Sequence, residues 1–176
     1  MAKFICALNQ TLDGYIDHDA PGIVPSPALF EHFTDEVRNT AGSLYGRIMY
    51  EVMRYWDTDQ DAWGEAEKEY ANVWRAQHKW VVSTTLDEVG PNATLIKQDV
   101  EAAARRIKDK IDGQIEVAGP TLAASLMPLI DEYQIYLHPV VVGRGKPFFK
   151  EARPPLKLAG TEQFDGGVLR LRYVPA

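Results

Sequence analysis

Gly46-Arg47, inside "LYGRIMYE" (44–51), places a bare backbone and a fixed positive charge where an apolar strand gives way to helical spacing. Free N–H groups at a helix start attract anions, and a guanidinium pairs with phosphate through two donors. The pair therefore reads as a phosphate seat, or, more simply, as a turn with a solvated arginine. A second glycine junction, Gly119, follows the strand-like "QIEVA". Asp13, in "TLDGYI", is placed to orient a substrate or relay a proton. As an Asp-Gly pair it is equally a turn that bonds its own backbone. His138 ends "YQIYLH", and its titration range suits proton donation, against a structural role at a strand end. Phe33, Tyr50 and Val117 suit an apolar substrate pocket or the core. No metal set is expected. "DTDQD" (57–61) opens like a calcium loop but has Ala62 and Lys68 where Gly and Glu are needed. His18, His32 and His78 have no ligand spacing.

The elements that would hold these residues follow from periodicity. "KFICAL" (3–8) reads as a buried strand. Residues 17–27 form a loop, and Ser26-Pro27 caps a helix with Leu29, Phe30, Phe33 and Val37 on one face. A further helix buries Trp63, Ala66, Tyr70, Val73 and Trp74. Strands are expected at 79–83, 93–97, 114–119 and 132–143, and an amphipathic helix at 99–111. A helix with Leu122, Leu126 and Leu129 opens at Pro120. A hairpin across Asp165-Gly166-Gly167 closes the chain. Strands alternate with helices and two strands finish the sheet, which predicts a single α/β domain over 1–176. The sheet is mostly parallel with an antiparallel edge, and ligands bind such sheets at the carboxyl ends of the strands.

Composition narrows the function. Hydrophobic residues are 45% and charged residues 25%, with a net charge of −6. That argues against non-specific binding to nucleic acid or to an anionic membrane. No apolar run reaches the length of a membrane span. The single cysteine, Cys6, fits a reducing cytoplasm and a small buried hydrophobe.

"QTLDGYI", "LYGRIMYE", "WVVSTTL", "EVAGPTLAASLM" and "DEYQIYLHPVVVGRGKPFF" follow one another in an order that resembles the dihydrofolate-reductase-like superfamily. The similarity is greatest to its branch containing the reductase domain of the bifunctional riboflavin-biosynthesis deaminase–reductase. No deaminase zinc motif is present. The resemblance implies a dihydrofolate-reductase-like fold with helices on both faces of the sheet. It also implies an NADPH-dependent reductase that transfers hydride to a C=N or C=O carbon of a small heterocyclic or ribosyl-type substrate. Arg47 would meet the 2′-phosphate, with Ile48 and Met49 beside it. Gly119, Pro120, Thr121 and Leu122 would hold the pyrophosphate, Ser83 and Thr84 the adenosine side, and Ala7 and Ile16 the nicotinamide. Arg144, in "GRGKP", would approach a phosphorylated substrate, the alternative being a flexible turn. The Ala118–Gly119 bond matches a cis peptide of the family. A homodimer is expected from the same likeness. Two departures stand out: Met49 replaces a common threonine, and the helix after the first loop lacks the carboxylate that dihydrofolate reductases set against the pterin. They keep two alternatives open, a weak dihydrofolate reductase and a non-catalytic nucleotide-binding module.

Overall fold

The computed structural model describes residues 1–16, 21–149, 152 and 155–176. The expected loop at 17–27 is thus seen from Pro21 onward, and His18 lies outside the described residues. In chain order come β1 (Lys3–Thr11), α1 (Pro27–Asn39), β2 (Gly42–Gly46), α2 (Arg47–Met53), α3 (Glu65–Ala76), β3 (Lys79–Val82) and β4 (Ala93–Ile96). They are followed by α4 (Val100–Lys110), β5 (Gln114–Ala118), α5 (Pro120–Ser125), β6 (Glu132–His138), β7 (Leu156–Gln163) and β8 (Leu169–Pro175). The strands form one sheet in the order β4-β3-β2-β5-β1-β6-β8-β7. Pairing is parallel from β4 to β6 and antiparallel through β8 and β7. This is the expected α/β, dihydrofolate-reductase-like sheet with its antiparallel edge.

Alternation along β1 separates two faces. Phe4, Cys6 and Leu8 enter a core with Leu44, Ile115, Val117 and Ile135, covered by Ala104 of α4 and Leu122 of α5. Ile5, Ala7 and Asn9 turn the other way, towards the helices α1, α2 and α3. There Tyr45, Tyr50, Tyr70 and Trp74 form a second cluster.

Local chemistry explains most boundaries. Ser26 caps α1 by accepting from the Leu29 N–H at 3.2 Å, and Pro27 occupies the first turn. In α3, Trp63 is buried but precedes the helix, Ala66 is exposed, and Ala71 takes the expected core place. The strand expected at 132–143 stops at His138 because Pro139 cannot donate to a ladder. The helix expected at 99–111 starts after Asp99, which adopts the left-handed conformation at φ 50°. The Ala118–Gly119 bond is trans, against expectation. Gly119 turns the chain instead with φ +111°, a rotation open to glycine that avoids the 2.5–4 kcal/mol, roughly, of a cis bond.

Candidate active site

A cavity of about 260 Å³ lies between the Ile5, Ala7 and Asn9 face of β1 and the inner face of α1. Phe30, Phe33, Glu36 and Val37 of α1 form one wall. Tyr45, Met49 and Trp56 close a second side, and Glu116 of β5 and Tyr136 of β6 reach in from the sheet. Ile16, after the first turn, completes the mouth near β1. The apolar stripe of α1 is therefore only half used as core. Leu29 is fully buried, while Phe30, Phe33 and Val37 keep surface facing the cavity.

The cavity carries two carboxyl groups. Glu36 accepts from Arg170 Nη1 at 3.2 Å. Glu116 touches Ser43, Oγ to Oε2 at 3.2 Å. Burial pushes the Glu116 carboxyl up to about 7; the Ser43 contact opposes the rise and the Glu36 charge adds to it. Tyr136 meets His32 Nε2 through its hydroxyl at 2.8 Å, and its phenol is pushed up by burial first and then by the Glu36 charge. So α1 does bring a carboxylate to the cavity. It is Glu36 that does so, while Glu31 is exposed and absent from the cavity wall.

The two glycine junctions lie side by side. Gly46 ends β2, Gly119 follows β5, and Tyr45 pairs with Ala118 just before them. A Cβ at Gly119 would stand 3.9 Å from both Gly46 N and Met49 Cβ, and one at Gly46 would stand 3.8 Å from Leu122 Cβ. Two bare stretches of backbone thus lie close together at the carboxyl ends of β2 and β5. The helices behind them are short, α2 of seven residues and α5 of six, so dipole attraction is modest there. Arg47 and Ile48, just after Gly46, are exposed, and Arg47 Nη1 pairs with Glu51 at 2.9 Å. Pro120 is half-buried, Thr121 exposed and Leu122 buried in the core. At the end of the neighbouring β3, Ser83 is buried, its Oγ accepting from the N–H groups of Thr85 and Leu86, while Thr84 is exposed. A dinucleotide fits this donor set: backbone at two glycine turns, one guanidinium, and hydroxyl-bearing residues at the next strand end.

The remaining expected residues fall elsewhere. Val117 is fully buried on the opposite face, because alternation along β5 gives the cavity to Glu116. Tyr50 is also core, and its hydroxyl accepts from the Gly90 N–H at 2.8 Å. Asp13 accepts from Thr11 Oγ1 at 2.7 Å, Gly143 N at 2.7 Å and Val142 N at 3.2 Å. Those bonds, Thr11 first and then the Gly143 and Val142 amides, hold its carboxyl below the usual range. It latches two loops together outside the cavity wall. His138 is buried and absent from the wall, but its Nε2 bonds Asn9 Oδ1 at 2.8 Å, and Asn9 lines the cavity. Arg144 is exposed in the loop between Gly143 and Gly145, away from the wall. Asn9, Glu36, Glu116 and Tyr136 are among the cavity residues that motif reading missed. The signal for Glu116 was available: a lone acid between Ile115 and Val117 in a central strand needs somewhere polar to go.

Sheet order, the paired glycine turns at the strand ends and the cavity under α1 define a dihydrofolate-reductase-like α/β domain. Within that class the chain belongs to the RibD C-terminal domain family, which matches residues 2–170. It is 29% identical over 183 residues to the uncharacterized protein YyaP of Bacillus subtilis (strain 168), covering 97% of this chain and 94% of that one. Among solved structures it is similar to the diaminohydroxyphosphoribosylaminopyrimidine deaminase/5-amino-6-(5-phosphoribosylamino)uracil reductase of Thermotoga maritima. That likeness has a TM-score of 0.70 at 14% identity and covers 99% of this chain but 57% of the other. A pyrimidine reductase-like protein of Corynebacterium diphtheriae gives 0.67 at 10% identity, covering 98% and 91%. At these identities the solved structures speak for the fold alone.

Proposed function

We propose that this chain is an NADPH-dependent reductase acting on a C=N or C=O bond of a small heterocycle held in the cavity. One observation carries the reading: the glycine turns and the cavity share a neighbour, Met49. A Cβ added to Gly119 would stand 3.9 Å from Met49 Cβ, and Met49 lines the cavity. A dinucleotide stretched along the strand ends would thus bring one end to the cavity wall. When bound, the cofactor supplies hydride. Family membership and the reductases among its structural relatives support this class of reaction.

The residues have distinct tasks. Gly46 and Gly119 let the backbone approach the phosphates closely. Arg47 offers its guanidinium to a 2′-phosphate; its present bond to Glu51 is an exposed pair worth about 0–1 kcal/mol, so a phosphate displaces it readily. Ser83 and Thr84 stand where the adenosine side would run. Ala7 and Ile16 give the nicotinamide a small, apolar rest beside the substrate.

The test is a titration with NADPH and with NADH, followed by nicotinamide fluorescence, in the wild type and Arg47→Ala. Preference for NADPH that the variant loses supports the assignment. Binding of neither nucleotide overturns it.

A further inference from the structure

Ser43, which also meets the Tyr45 hydroxyl, has two further contacts whose directions are set by their surroundings. Its Oγ lies 2.8 Å from Gln77 Oε1 and 3.2 Å from Glu116 Oε2. On its other side, Gln77 Nε2 lies 3.2 Å from the Val37 carbonyl and 3.2 Å from Thr40 Oγ1. A carbonyl only accepts, so the Gln77 amide turns its NH₂ to α1 and its oxygen to Ser43. Thr40 agrees, since its hydroxyl donates to the Glu36 carbonyl at 2.5 Å and is left to accept from Gln77. The amide oxygen also only accepts. The one proton of the Ser43 hydroxyl therefore belongs to Gln77.

What remains at Ser43 is an oxygen that can accept. Its second neighbour is a carboxyl. An ionised carboxylate has nothing to donate and would set lone pairs against lone pairs in an apolar wall. A protonated carboxyl completes the series: Glu116 to Ser43, Ser43 to Gln77, Gln77 to the end of α1. The titratable groups facing Glu116 are Glu36 from α1, Tyr45 from β2, Tyr70 from α3 and Tyr136 from β6. The Glu36 charge favours the same form, and the three phenols, pushed up by burial, stay neutral and bring no positive charge. Among the described residues that line the cavity there is no lysine or arginine. Burial acts in the same direction, and once the Ser43 proton is committed to Gln77 the Ser43 contact no longer opposes the rise.

We propose that Glu116 stands in the cavity as a neutral carboxylic acid, and that the site takes an uncharged, unphosphorylated heterocycle offering it a hydrogen-bond acceptor, the atom that is protonated when the adjoining carbon is reduced. The proposal rests on the reductase reading above. As the acceptor carbon gains a hydride from reduced nicotinamide, the π electrons of the C=N or C=O bond settle on nitrogen or oxygen. The Glu116 O–H bond breaks and its proton forms the new N–H or O–H. Water then returns a proton to the carboxylate, so each turnover consumes one hydride and one proton. A phosphorylated sugar would instead bring a dianion towards Glu36, where the one neighbouring cation among the described residues, Arg170, is already paired with Glu36 and Glu162.

Two measurements on the full chain, both without nicotinamide cofactor, test this. The first is infrared difference spectroscopy between wild type and Glu116→Gln across pH. The expected result is a protonated-carboxyl carbonyl band in the wild type that is absent from the variant and fades through about pH 7. Identical spectra in that region at about pH 6 would mean an ionised Glu116 and would overturn the proposal. The second follows tryptophan fluorescence, to which Trp56 in the wall contributes, during titration with a pyrimidine base, its nucleoside and its 5′-phosphate. The phosphate should bind at least about tenfold more weakly than the nucleoside. Equal or tighter binding of the phosphate, or binding of none of the three, overturns the substrate class. Because neither readout needs the cofactor, failure of NADPH to bind would sink the reductase reading separately.

Discussion

His138 reaches the cavity through Asn9: its Nε2 lies 2.8 Å from Asn9 Oδ1, and Asn9 lines the cavity while His138 does not. Burial pushes the His138 ring down, so it is neutral at physiological pH, with Nε2–H donating to Asn9. The Asn9 NH₂ is then left for the cavity. His138 is thus a positioning residue. His138→Gln should raise the acceptor KM by no more than a few-fold, and His138→Ala by about tenfold with kcat nearly unchanged. A hundredfold fall in kcat for the Gln variant, roughly, would instead make His138 the proton donor.

Tyr50→Phe leaves the Gly90 N–H without its acceptor. It should cost about 1–2 kcal/mol in chemical denaturation and leave acceptor KM unchanged. A changed KM at wild-type stability would return Tyr50 to the substrate site.

Asp13 joins the turn after β1 to the loop after β6. In Asp13→Ala, amide exchange at Val142 and Gly143 should quicken selectively, as both N–H groups lose their carboxylate. Unaltered protection at these two amides would remove the latch role.

Glu51 holds Arg47 in an ion pair, so under the proposed function it would compete with the cofactor phosphate for that guanidinium. Glu51→Gln should tighten NADPH binding by a few-fold and leave NADH unaffected, measured by the same fluorescence titration. No change would separate Arg47 from the 2′-phosphate.

Two buried acids impose opposite pH dependences. Burial raises Glu132, but hydrogen bonds from Arg172, Lys3 and Gln134 outweigh it and hold the carboxyl at about 2. Its stabilisation is present above about pH 4.5 and is lost as pH falls towards 2. Glu116, raised to about 7, binds its proton more tightly in the folded chain, so stability falls as pH rises from about 4.5 through 7. Denaturation curves should therefore show greatest stability near about pH 5, and Glu116→Gln should recover at most about 3 kcal/mol at alkaline pH. Glu132→Gln should cost about 3 kcal/mol near neutrality, leaving Lys3 and Arg172 without their acid. A Glu116→Gln protein with an unchanged alkaline limb would contradict the assignment.

The sheet was legible because its strands are apolar on both faces and its helices carry clean stripes. Glycine junctions at strand ends were legible for the same reason, since a bare residue between an apolar run and helical spacing has few uses. Which face a side chain takes was harder. In "QIEVAG" both Glu116 and Val117 are plausible wall residues, and only the register of β5 with β1, Ile5 opposite Glu116, decides between them. Contacts across the sheet leave no local trace. Nothing near Asp13 announces Val142 and Gly143, nothing near Tyr50 announces Gly90, and nothing near His138 announces Asn9.

The place of β1 in the sheet bears on how the chain is made. Its neighbours are β5 and β6, whose residues leave the ribosome long after Thr11. Until Gln114–Ala118 and Glu132–His138 have emerged, the first strand has nothing to pair with, and Ile5, Ala7 and Asn9 have no cavity to line. Pairing across such separations is slow to form. The strands β2, β3 and β4, close together in the chain, are free to assemble first. The cavity is therefore finished only when β1 is taken up between two strands that are synthesised well after it.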